Sequence, residues 1–92
     1  MEKQITDLSI LTEYQNRQVI LNYYLDEEML YKRDGFHFSS IRLDNSSLEF
    51  TKKDGSKIII SLGEYTNHYI NTDFTNYFTF RNSDKRLEIY FP

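Results

Sequence analysis

Residues 46–62 read SSLEFTKKDGSKIIISL, two apolar runs on either side of an Asp54-Gly55 pair, and no other stretch constrains the fold as tightly. Alternating apolar residues around Asp-Gly specify a β-hairpin, and its loop length decides which side chains meet the core. A two-residue loop would set Lys52 opposite Lys57 and Leu48 opposite Ser61, mixing the two faces. A three-residue loop, Lys53-Asp54-Gly55, with Gly55 left-handed, sets Phe50 opposite Ile58 and Leu48 opposite Ile60, and Leu62 extends the stripe. A one-residue slip inverts every side chain, so the apolar pattern selects the longer loop. Ile59 then falls on the more polar face, which calls for a second layer over it or a sheet that curls into a partial barrel.

The same reading carries to the C-terminus. In GFHFSSIRL, Phe36 and Phe38 share one face, and the phase changes at Ser39-Ser40 before Ile41 and Leu43, as a β-bulge would cause. NYFTFRN places Phe78 and Phe80 together, and RLEIYFP places Leu87, Ile89 and Phe91 together, with Asn82-Ser83-Asp84 as the turn between them.

The N-terminal third is less uniform. In residues 5–16, Ile5, Leu8 and Leu11 recur at helical spacing behind Thr6 or Asp7 as a cap, which predicts a short amphipathic helix. In residues 18–25, Val19, Leu21, Tyr23 and Leu25 alternate as a strand would, while Leu21 and Leu25 also stand one helical turn apart; branched and aromatic enrichment favours the strand. In the following DEEMLYKRDG, Asp26 can cap, Glu27 and Glu28 lead, Lys32 and Arg33 trail, and Gly35 stops the run. That charge order predicts a short helix, with the return strand of a hairpin as the alternative. The expected architecture is a single α+β domain over residues 1–92, with an N-terminal helix packed on a curved antiparallel sheet of four to six strands.

Ninety-two residues suffice for one core: area scaling leaves about two-thirds of the unfolded surface buried. Cysteine is absent, the longest aliphatic run is Ile58-Ile59-Ile60, and the start MEKQITDLSIL lacks the apolar run of a leader. A cytoplasmic protein that neither spans nor binds a membrane is the expectation. The net charge of −3 disfavours indiscriminate binding to phosphate backbones. Alanine is missing altogether, while Phe, Tyr, Met, Ile, Asn and Lys supply 39 of the 92 residues, the mark of an AT-rich gene.

Motifs for chemistry are sparse. Glycine occurs only at 35, 55 and 63, too scattered for a phosphate-binding loop. His37, between Phe36 and Phe38, should point away from their face, and His68 follows Glu64 by four residues, a pair only if that segment were helical. Neither histidine has a nucleophile motif beside it, and no cofactor or metal site is expected.

Tyrosine is the more informative type. Eight of them stand beside seven phenylalanines, more than so small a core requires. Residues 64–77, EYTNHYINTDFTNY, form a polar, aromatic segment free of lysine and arginine, and tyrosine is enriched at interfaces. The expected partner-binding residues are Glu64, Tyr65, His68, Tyr69, Asp73 and Tyr77, with the tyrosines as anchors and the carboxylates facing a basic protein surface. The functional expectation is a non-enzymatic inhibitor from a phage or mobile element, of the anti-CRISPR kind, which covers a host nuclease or defence protein. The alternative is a regulatory or nucleic-acid-binding module using the aromatic and basic hairpin 77–86, with Arg81, Lys85 and Arg86 at its turn. Direct nucleic-acid binding is the less favoured reading, and a homo-oligomer is left open.

Overall fold

The computed structural model describes residues 1–26 and 28–92. Eight strands form one antiparallel sheet: β1 (Glu2–Ile5), β2 (Arg17–Leu25), β3 (Met29–Leu43), β4 (Ser47–Lys52), β5 (Lys57–Ser61), β6 (Asn67–Asn71), β7 (Tyr77–Arg81) and β8 (Lys85–Tyr90). Their order across the sheet is β1-β6-β7-β8-β2-β3-β4-β5. Two 3-10 segments, Leu8–Glu13 and Leu62–Glu64, interrupt the strands.

A flat sheet is only one layer thick, yet no principal extent of this molecule falls below 25 Å. The sheet therefore rolls over its own inner face, the arrangement open to a single sheet with one apolar side. Val19, Leu21, Phe38, Leu48, Phe50, Phe78, Phe80, Leu87, Ile89 and Phe91 all point inward and are essentially sealed from water. Phe38 of β3 meets Phe91, at the end of β8, with ring centroids 5.8 Å apart, although β2 lies between their strands. That contact follows from the curvature.

The α+β expectation is corrected to nearly all antiparallel sheet, with eight strands rather than four to six. The predicted helix over 5–16 is instead β1 followed by the 3-10 segment. Ile5 pairs with His68, which takes it out of the helical stripe. Leu8 and Leu11 remain, three residues apart, and a 3-10 turn eclipses residues at that spacing. Both are buried, with Asp7 accepting a hydrogen bond from the Ser9 amide at 3.0 Å as the cap. The segment lies against β3.

The predicted helix over 26–35 is the return strand of a hairpin. Favourable end charges contribute about 0.3–1 kcal/mol each. Those contributions are small against a ladder in which β2 pairs β3 from Arg17↔Phe38 to Leu25↔Met29. Asp26 takes the left-handed conformation at the turn (φ 54°), and its amide donates to the Asp84 carbonyl at 2.9 Å. The expected role of Glu27 in a first helical turn lies outside the described residues.

The three-residue hairpin loop is observed. Leu48 faces Ile60, Phe50 faces Ile58, and Gly55 has φ 89°. The phase change at Ser39-Ser40 is also present, as a register shift between Phe38 and Ser40 against β4. Ile59 stays 59% exposed, covered by neither the N-terminal segment nor the curl, because it sits on the outer face of an edge strand.

Candidate partner-binding surface

The outer face of β6, β7, β8 and β2 is a lattice of polar and aromatic side chains set by register. One row runs Tyr69, Thr79, Glu88, Asn22, and the next runs Asn67, Arg81, Arg86, Tyr24. Arg81 and Arg86 stand directly opposite each other, a repulsive placement that needs compensation. It is supplied within the chain. Arg81 Nη2 donates to Glu2 Oε1 at 2.6 Å, and its guanidinium lies 5.3 Å from the Tyr69 ring. Arg86 lies over Tyr24 at 4.0 Å, with Glu88 at 3.8 Å from its Nε. Thr79, although on this outer face, is buried beneath its neighbours.

The six residues expected to form one patch are divided by strand alternation. Tyr65 is 3% exposed and packs near Phe80, its hydroxyl pKa pushed up to about 12, first by burial and then by nearby Tyr31 and Glu64. It belongs to the core and cannot anchor a partner. His68 points inward too, edge-on to Phe80 at 4.6 Å, and burial holds its pKa below the ordinary value. In a strand it has no i+4 relation to Glu64, which instead lies 3.8 Å from Lys85. Tyr69 faces outward over Arg81, and Asp73 meets the amino group of Met1. Tyr77 faces outward as well, its pKa raised by burial and by a hydrogen bond to Glu88. His37 is exposed, on the face away from Phe36 and Phe38.

A different grouping emerges around Asp73 and Tyr77. The turn between β6 and β7 and the chain end after β8 enclose a surface cleft of about 470 Å³, lined by Asp73, Phe74, Thr75, Asn76, Tyr77, Tyr90, Phe91 and Pro92. The turn is well braced. Asn71 Oδ1 accepts from the amides of Asp73 and Phe74 at 2.8 and 3.1 Å, and the Thr72 amide donates to the Met1 carbonyl at 2.7 Å. Asn76 is left-handed (φ 59°), accepts from the Phe91 amide at 3.0 Å, and takes the Tyr14 hydroxyl on its Oδ1 at 2.9 Å. The Tyr14 ring in turn stacks on Phe91 at 4.0 Å.

This bracing holds Phe74 at the cleft with 64% of its surface in water. Its ring centroid is 6.2 Å from Tyr77, which is 5.8 Å from Tyr90, so three aromatic rings run from the turn onto the outer face. Phe74 was not among the expected site residues. Its signal is a lone phenylalanine inside the polar run NTDFTN, three residues after an Asn able to close a turn.

No protein-family model matches the chain, and comparisons with curated proteins and with solved structures return no match. Among the described residues no helix is long and apolar enough to cross a membrane, and no group of three or more His, Asp or Glu side chains is placed to hold a metal.

Proposed function

We propose that this chain is a non-enzymatic protein-binding domain whose contact surface is the Phe74–Tyr77–Tyr90 cleft, and that it acts by covering a surface of its partner. The observation that carries this reading is Phe74, a large apolar side chain held in water by a braced turn rather than folded into the core. Aromatic anchors beside a cleft are the residues that dominate binding energy at protein interfaces, and the adjoining Tyr77 and Tyr90 supply rings with polar tips. The net charge of −3 favours a partner with a basic surface.

A protein partner fits the outer face better than nucleic acid does. Arg81 and Arg86, the cations a phosphate backbone would need, are engaged by Glu2 and Glu88 and by tyrosine rings. Phe78 and Phe80 are sealed in the core and offer no stacking surface. The finer reading, an inhibitor from a phage or mobile element that occludes a host nuclease or defence protein, adds only the AT-rich composition to this argument. Affinity capture from such a host, run in parallel with wild type and Phe74→Ala, tests both levels. The wild type should retain a partner that the variant releases. Equal retention by the two proteins places the contact elsewhere, and a partner outside the defence and nuclease classes removes the finer reading alone.

A further inference from the structure

β3 is the longest strand, and β4 covers only part of it. β4 pairs with Phe38–Leu43, whereas Met29 to His37 have β2 on one side and, among the described residues, no strand or backbone hydrogen bond on the other. At its start Leu25, Met29, Leu30 and Tyr31 are 39%, 62%, 46% and 50% exposed, an apolar rim at the tip of the β2–β3 arm. An open edge beside exposed apolar side chains is a template for another strand.

The edge carries its own selectivity. A bulge at Tyr31, where the register slips between Tyr23 and Tyr24, and the run Lys32-Arg33-Asp34 both obstruct indiscriminate strand addition. A second copy of the same edge satisfies that run. When a strand pairs antiparallel with its own copy about a two-fold axis, one residue must face itself. With Lys32 on the axis, two ammonium groups meet and Leu30 faces Asp34; with Asp34 on the axis, two carboxylates meet. With Arg33 on the axis, Lys32 faces Asp34 twice, once on each side, and Tyr31 falls opposite Gly35, which has no side chain to obstruct it. Lys32 and Asp34 share the inner side of the arm, opposite Tyr23 and Leu21 of β2, so both charge pairs form on one face. Arg33 then faces its own copy on the other face, one like-charge contact in water set against two Lys32–Asp34 pairs, whereas the registers centred on Lys32 or Asp34 have a like-charge contact and no attractive pair to offset it.

We propose that the Met29–Phe36 edge of β3 is a homodimerisation surface, with two copies joined antiparallel in the register that centres on Arg33 and pairs Lys32 with Asp34. The joined sheets cover the apolar rim. The contact is independent of the Phe74 cleft, because Leu25↔Lys85 and Ile20↔Tyr90 place the arm and the cleft at opposite ends of β2 and β8.

Sedimentation equilibrium over a concentration series tests the assignment. The wild-type mass should rise from 11.1 kDa toward twice that value. Lys32→Asp and Asp34→Lys should each raise the dissociation constant about tenfold, since each turns two attractive cross-strand pairs repulsive. The double variant Lys32→Asp/Asp34→Lys should return it to within about threefold of wild type. Thermal melts confirm that each variant is folded, and Lys32→Gln provides a milder change that should weaken the dimer less. A wild type that stays monomeric up to about 1 mM overturns the proposal. So does a dimer that the single reversals leave unchanged, or one that the double variant does not restore.

Discussion

On the inner face of the sheet, Phe38, Phe50, Phe78, Phe80 and Phe91 are removed from water completely, whereas on the outer face Tyr24, Tyr69, Tyr77 and Tyr90 are half-buried among arginines, a glutamate and one another. The two faces draw on the same period-two backbone and on rings of nearly the same size. What differs is the hydroxyl. Phenylalanine has no polar atom to satisfy, so a curved sheet can close over it. Tyrosine can leave its ring against a neighbour while its oxygen reaches water or Glu88. Two residues cross this division most fully among those described. Tyr65 is a tyrosine buried inside, where Tyr14 and Tyr23 pack only partly buried against the core, and its hydroxyl is strongly disfavoured from ionising; Phe74 is a phenylalanine exposed outside. The first marks where the segment entering β6 closes the core, and the second marks the surface proposed for binding.

The division can be broken most severely from within. Phe50→Ala should cost about 3–5 kcal/mol, much of the stability of a domain this small, as read by urea or guanidinium unfolding. Tyr65→Ala should behave as an inner-face variant and cost about 3 kcal/mol. A loss below about 1 kcal/mol would return Tyr65 to the surface and restore it as an anchor. On the outer face, Arg86→Ala removes one cation–π contact and one weak ion pair, with an expected cost of about 1 kcal/mol.

His68 provides a pH-dependent probe of the inner face. Burial depresses its folded-state pKa, so the unfolded chain takes up a proton more readily than the native protein. Its contribution to stability is therefore present above the ordinary histidine value of 6.5 and lost as the pH falls through and below it. Melting points should fall as the pH is lowered from about 7.5 to about 5, and His68→Gln should flatten that part of the profile. A wild-type profile no steeper than the variant's would place the imidazole in solvent.

Much of the fold was legible where the turn chemistry was local. Asp54-Gly55 and the apolar runs around it specify loop and register, because a mismatch would expose Leu48 or Phe50 to water. The strands carrying Phe78 and Phe80 and carrying Leu87 and Ile89 were equally plain from their alternation. The N-terminal third misled because its cues were weak ones, a three-residue spacing that suits a 3-10 turn as well as a helix, and end charges worth little beside a long ladder. Of the residues expected to bind a partner, Asp73 and Tyr77 line the cleft, while Tyr65 and His68, expected to face outward, point inward, because residues 64–77 show no clear period. Phe74 was missed for the opposite reason: phenylalanine is so often core that its isolation in a polar turn carries the information, and its type does not.

The central claim is that Phe74 contributes to binding and not to folding. It is tested most directly by measuring, on Phe74→Ala, both the unfolding free energy and the dissociation constant for the captured partner. Stability should change by less than about 0.5 kcal/mol, as for a surface position, while affinity falls by about 2 kcal/mol or more, roughly thirtyfold. A variant that stays folded and binds as tightly as wild type, or one that loses stability on the scale of Phe50→Ala, would contradict the account.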